Sequence, residues 1–202
     1  MSAVSAVSDD RLESAPGGLG FVQEFVNTRY LAPPRGVDPL GDETLAQAWL
    51  DAAWQRHGAA AVTTTGSQPP AIELAHRDLP GLRAARRALA GLISGDRDPA
   101  DRGSADLVAA VTVRVGADGV ATLEPRGGEG GRVLAILLAE VWCAQQAGTW
   151  KRLKICRNER CAIVFYDRSP AASAVWHSAK RCGNAPNLRA SRARRRTDER
   201  QR

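Results

Sequence analysis

The feature that most constrains this 202-residue chain is a pair of donor pairs. Cys156-x4-Cys161 is followed, after fifteen residues, by His177-x4-Cys182. Two close pairs, each on a short turn and joined by a linker long enough to return, suit one tetrahedral Zn²⁺. The spacing predicts a Cys3His shell with one structural ion per chain. Four protein ligands leave no open coordination position for chemistry. Cys156, Cys161, His177 and Cys182 are the candidate ligands. Cys143 and Asp167 are the alternatives to His177 as fourth donor.

The flanks agree. "LKICRNERCAIVFY" reads as strand, polar knuckle, strand, with Ile163, Val164 and Phe165 apolar. So small a hairpin cannot build a core alone, and bound metal supplies folding free energy on the order of 10 kcal/mol. Phe165, Tyr166 and Trp176 are expected to form the module's own small core.

Charge is distributed unevenly. Residues 151–202 hold 15 Lys and Arg against 4 Asp and Glu, while residues 1–150 hold 13 against 18. An acidic body with a basic end points to a polyanionic partner. In "GNAPNLRASRARRRTDERQR", Asn184 suits a helix N-cap and Pro186 the first turn. Arg189, Arg192 and Arg196 then share a helical face, with Arg195 beside them. Lys180, Arg181, Asn187, Arg189, Arg192, Arg195 and Arg196 are the candidate nucleic-acid contacts, to phosphates or to guanine in a major groove.

Residues 19–149 read as a mainly helical body. Phe21, Phe25 and Val26 share a helical face. "DETLAQAWLDAAWQRHG" predicts a helix capped by Asp42 and stopped by Gly58, burying Leu45, Trp49, Leu50 and Trp54. "HRDLPGLRAARRALAGLISG" predicts another, capped by Asp78 and ended by Gly95, burying Leu82, Leu89, Leu92 and Ile93. The alternating "LVAAVTVRV-GADG-VATLEP" predicts a β-hairpin over about 106–125. "RVLAILLAEVWCAQQAG" is apolar almost all round and predicts a central buried helix, with Trp142 and Cys143 inside. His57 and His76 are isolated and expected at helix ends or on the surface.

No phosphate-binding glycine loop, G-x-S-x-G or H-E-x-x-H occurs, so no enzyme is expected. No apolar run is long enough to span a membrane. Residues 1–18 are small and polar, lack the pattern of a secretory signal, and read as a disordered arm. A cytoplasmic location is expected. Asn27 and Thr28 are candidates for an effector site.

The run Cys-x4-Cys … Trp-x-Ser-x3-Cys-Gly-Asn resembles the CGNR-type zinc finger family. In that family "W-C-S" and "C-G-N-R" supply the second ligand pair. Here they read Trp176-His177-Ser178 and Cys182-Gly183-Asn184-Ala185. His177 replaces a cysteine with another good zinc ligand, and Ala185 replaces the arginine. "FVNTRYLAPPRG", residues 25–36, resembles the start of the helical domain that precedes this finger, where an F-x-N-T element recurs. The resemblance implies a transcriptional regulator, in some members linked to stress responses, with a DNA-binding finger and a sensing or assembling body.

The expectation is therefore an α+β protein: a mainly helical body with one β-hairpin, and a zinc-ribbon-like module over 150–202 ending in a basic helix. It would bind double-stranded DNA through that module. The body would form a homodimer or take a small-molecule effector. The alternatives are an RNA or single-strand binder, or a zinc-braced protein-interaction module.

Overall fold

The computed structural model describes residues 12–30, 36–65, 71–95, 106–158 and 161–183. Among these lie four α-helices: α1 (Leu19–Asn27), α2 (Glu43–Thr65), α3 (Leu79–Ser94) and α4 (Glu129–Gln146). A first antiparallel hairpin, β1 (Val111–Val115) and β2 (Ala121–Pro125), precedes α4. A second, β3 (Leu153–Ile155) and β4 (Val164–Tyr166), follows it. The α+β organisation expected from the sequence is present.

The short helix α1 sits at the centre. Phe21, Val22, Phe25 and Val26 are buried on it, among Leu50 of α2, Leu82 and Leu89 of α3, and Val133 and Leu137 of α4. Phe21 stacks on Trp49 at 5.9 Å and meets Trp54 edge-on at 5.3 Å. Such ring pairs add about 0.5–1.5 kcal/mol each beyond area burial. Leu153 of β3 and Val164 of β4 belong to this same apolar cluster. The expected division near residue 150 thus separates segments whose side chains share one core.

A buried charge organises the loop before α2. Arg86 of α3 makes a two-pronged contact with Asp38, at 2.6 and 2.7 Å, and a 3.0 Å hydrogen bond to Thr28 Oγ1. Burial pushes the Asp38 carboxyl up, but the Arg86 guanidinium and the Leu40 N–H hold it below its ordinary value.

Several expectations need correction. Asp42 caps α2, its carboxylate accepting the Leu45 N–H at 2.8 Å, yet Gly58 does not stop the helix, which runs on to Thr65. Glycine costs a helix interior about 1 kcal/mol without breaking it, and a Cβ there would meet the Trp54 ring, one turn earlier, at an ordinary 3.6 Å. Asp78 precedes α3 but bonds the Ala75 N–H rather than the helix. Leu45, Leu92 and Trp142, all expected inside, are exposed. His57 is neither at a helix end nor on the surface. It is buried within α2, its Nε2 2.8 Å from Glu24 Oε2.

Residues 12–18, assigned from sequence to a disordered arm, pack on the body. Ala15 is buried and donates its N–H to Gln23 Oε1 at 2.6 Å. Gly18 precedes α1, and a Cβ there would fall 2.0 Å from the carboxyl carbon of buried Glu140. Only glycine lets that acidic side chain of α4 reach the positive N-terminal end of α1.

Candidate metal centre and its flanks

β3 delivers Cys156 to the start of a knuckle. The Cys156 N–H donates to Ile163 O at 2.9 Å, closing the loop below the sulfur. Cys161 and Ala162 both donate their N–H to Asn158 O, at 2.7 and 3.0 Å. Ala162 has φ 52°, a left-handed conformation an alanine rarely adopts. It turns the chain from Cys161 into β4.

The return path is held by Asp167, whose side chain is fully buried. It accepts hydrogen bonds from Lys154 Nζ (2.7 Å), the Ser169 N–H (2.9 Å), the Ser169 hydroxyl (2.7 Å) and the Ala174 N–H (2.9 Å). Burial alone raises this carboxyl, but those donors hold it well below the usual carboxylate range. Lys154 Nζ also donates to Ala172 O at 2.5 Å. The Arg157 N–H donates to Val175 O at 3.0 Å, drawing the second donor pair against the first. Cys182 then sits on a single wide, π-type helical turn, Ala179–Gly183, its N–H bonded to Ser178 O at 2.8 Å.

The result is a closed donor set. One donor atom from each of Cys156, Cys161, His177 and Cys182 lies within 4.8 Å of the others. Cys161 Sγ and Cys182 Sγ are 3.2 and 3.5 Å from His177 Nδ1. A tetrahedral zinc site with bonds of about 2.0–2.3 Å has ligand–ligand edges of roughly 3.5–3.8 Å, so the arrangement fits one structural Zn²⁺. Electrostatics supports the fit. Burial, reinforced by the sulfurs of Cys156 and Cys182, pushes the Cys161 thiol up to about 12 despite the Ile163 N–H. Burial raises Cys182 as well. Three crowded sulfurs of this kind become thiolates when a cation at their centre compensates the charge.

His177 supplies the fourth donor. Asp167 is committed to the linker hydrogen bonds, and Cys143 lies half-buried on α4, outside the cluster. Phe165 packs with Cys156 and Cys182 in a small cluster of their own. Tyr166 packs instead against the main core, and Trp176 is 38% exposed. The expected three-ring core is thus reduced to Phe165. Trp176 lies over Gly183, where a Cβ would come within 3.2 Å of its ring.

Lys180 and Arg181 stand exposed on the turn that carries Cys182. Asn187, Arg189, Arg192, Arg195 and Arg196 lie outside the described residues. Asn27 and Thr28 are engaged within the protein. Asn27 Nδ2 donates to Val164 O and its Oδ1 accepts the Val164 N–H, both at 2.8 Å. The Thr28 hydroxyl donates to Phe25 O at 2.7 Å. Gln23, which sequence reasoning passed over, adds a 3.3 Å hydrogen bond to Val164 O. Its only sequence signal is an amide on an otherwise apolar helix. A groove of about 360 Å³ opens beside the metal centre, between Phe165 and Tyr166 on one side and Trp176 and Ser178 on the other.

No helix among the described residues is long and apolar enough to cross a membrane. No curated protein matches the chain. The family model described as the CGNR zinc finger matches residues 152–195, the stretch that contains all four donors, and the chain therefore carries a CGNR zinc finger there.

Proposed function

We propose that the zinc finger and the basic segment after it bind duplex DNA, and that the protein is a cytoplasmic transcriptional regulator rather than an enzyme. The observation that carries this reading is the position of Lys180 and Arg181. They project from the same short turn that supplies Cys182, so the metal fixes where the positive charge begins. The arginines of residues 189–196 continue from that point in sequence. Cations held on a rigid base can follow a phosphate backbone with little ordering cost. The helical body is assigned effector sensing or dimerisation, as the likeness of "FVNTRYLAPPRG" to a helical regulator domain suggests.

One observation favours a second reading. Trp176 is exposed beside the cations, and an exposed ring next to positive charge can stack on an unpaired base. RNA or single-strand binding is therefore the alternative. A protein-docking role for the zinc-braced surface is the third.

The test is selection of the zinc-loaded protein on a randomised duplex library at physiological salt. An enriched motif, with affinity falling steeply as salt rises, is the expected result. Neutralising Lys180 and Arg181 should lower the salt slope by up to about one per lost phosphate contact. No enrichment, with tighter binding to single-stranded RNA that is lost in Trp176→Ala, would replace this reading with the second.

A further inference from the structure

Among the described residues no further strand pairs with β1 on the side away from β2. The β1–β2 register pairs Val111 with Pro125, Val113 with Leu123 and Val115 with Ala121. The Arg126 N–H donates to Ala110 O and the Gly116 N–H to Val120 O, both at 2.9 Å. Hydrogen-bonded and non-bonded pairs alternate in an antiparallel ladder. Residues 110, 112, 114 and 116 therefore direct their backbone groups towards β2. Val111, Val113 and Val115 direct theirs outward, to the free edge.

Side chains repeat the pattern. Val113 and Val115 are 63% and 65% exposed, and nearby Val108 and Val120 are exposed too. An unpaired edge lined with valine is a template for another strand, and chains normally blunt such edges with charge, proline or a covering element. Here the one charge on β1, Arg114, lies on the opposite face from the valines and is paired with Glu124 at 3.0 Å.

We infer that β1 is a homodimer interface, pairing antiparallel with β1 of a second copy about a two-fold axis at Val113. The strand is self-complementary in that register. Val113 faces Val113 of the other copy, and Val111 faces Val115. All three outward residues then form hydrogen-bonded pairs, and the two hairpins become one four-stranded sheet. The valines of both copies join in one apolar row. Arg114 of each copy faces Thr112 of the other, so no like charges stand directly opposite. No other antiparallel register brings all three outward residues into hydrogen-bonded pairs. A second copy is the occupant because the edge's apolar pattern is symmetric about its own centre. The inference does not depend on the DNA-binding reading and concerns the protein without nucleic acid.

A contact confined to strand edges is small, at the low end of interface sizes, so association should fall in the micromolar range. The experiment is sedimentation velocity of the zinc-loaded full chain from about 1 to 100 μM, a span chosen for that range. Val113→Lys places two ammonium groups on the axis. Val113→Pro removes the outward N–H while leaving the β1–β2 ladder intact. Circular dichroism and bound zinc verify that each variant is folded. The expected result is a concentration-dependent dimer in the native chain and a monomer throughout for both folded variants. A native chain that stays monomeric across the range overturns the inference. So does a dimer that persists in either folded variant.

Discussion

The side-chain amide of Asn27 and the backbone of Val164 are joined by two hydrogen bonds, each 2.8 Å, across 137 positions of sequence. The amide behaves as one more rung of a ladder, pairing β4 to α1. Val164 lies two residues before Tyr166 and three after Cys161, on the strand that leaves the zinc knuckle. The F-x-N-T element thereby latches the finger to the body.

Replacing half-buried Asn27 with Ala leaves the N–H and C=O of fully buried Val164 with fewer partners. The expected loss is about 2 kcal/mol of stability. Hydrogen exchange at the β3 and β4 amides should accelerate more than exchange in α2. Asn27→Asp keeps the acceptor for the Val164 N–H but sets a carboxylate against Val164 O, so it should recover little. Thermal melts with amide-resolved exchange check both.

Metal stoichiometry should be one Zn²⁺ per chain, measured by elemental analysis of dialysed protein. Cys156→Ser, Cys182→Ser and His177→Ala should each lose the ion to a competing chelator under conditions where the native chain keeps it. His177→Cys should retain it, because thiolate and imidazole both satisfy zinc. Chelation should loosen residues 156–183 first. The four helices should remain, since among residues 156–183 their core takes only Val164 and, at its margin, Tyr166.

Glu24 provides a pH dependence with a definite sign. Its burial raises the carboxyl, but hydrogen bonds and charge from His57 and Arg56 outweigh that and bring it down to about 2 from 4.5. A depressed carboxyl stabilises the fold at pH above its unfolded value and loses that contribution as pH falls towards the folded one. The stability gap between the native chain and Glu24→Gln should therefore be full above about pH 5 and shrink steadily below pH 4.5. Its size should be of order 1–3 kcal/mol after solvent screening. Denaturant titrations of both proteins at matched pH measure the gap, and effects common to both, including loss of zinc in acid, cancel in the difference.

Gly18→Ala should destabilise by about 1–3 kcal/mol, because the new methyl occupies the space of the Glu140 carboxyl. The double variant with Glu140→Ala should cost less than the sum of the two single changes. A double-mutant cycle by denaturant unfolding reads the coupling directly.

The sequence by itself pointed to Cys156, Cys161 and Cys182 as ligands, because they lie in two short turns whose spacing is a local matter, whereas the choice of His177 over Cys143 and Asp167 as fourth donor came from the fold. The sequence also determined the existence of α2, α3, α4 and the first hairpin, whose periodicities of 3.6 and 2 are written in adjacent residues. Only the tertiary structure decided which way those elements face and what they hold. A helix apolar almost all round, such as α4, does not state which side meets water, so Trp142 emerged exposed. Gly58 reads as a stop, yet α2 runs through it to Thr65. Asn27 reads as a candidate for an effector site until the fold brings Val164 beside it, 137 positions away. Local propensity acts between neighbours in the chain. Burial and hydrogen-bond satisfaction act between neighbours in space, and those are known only once the chain has folded.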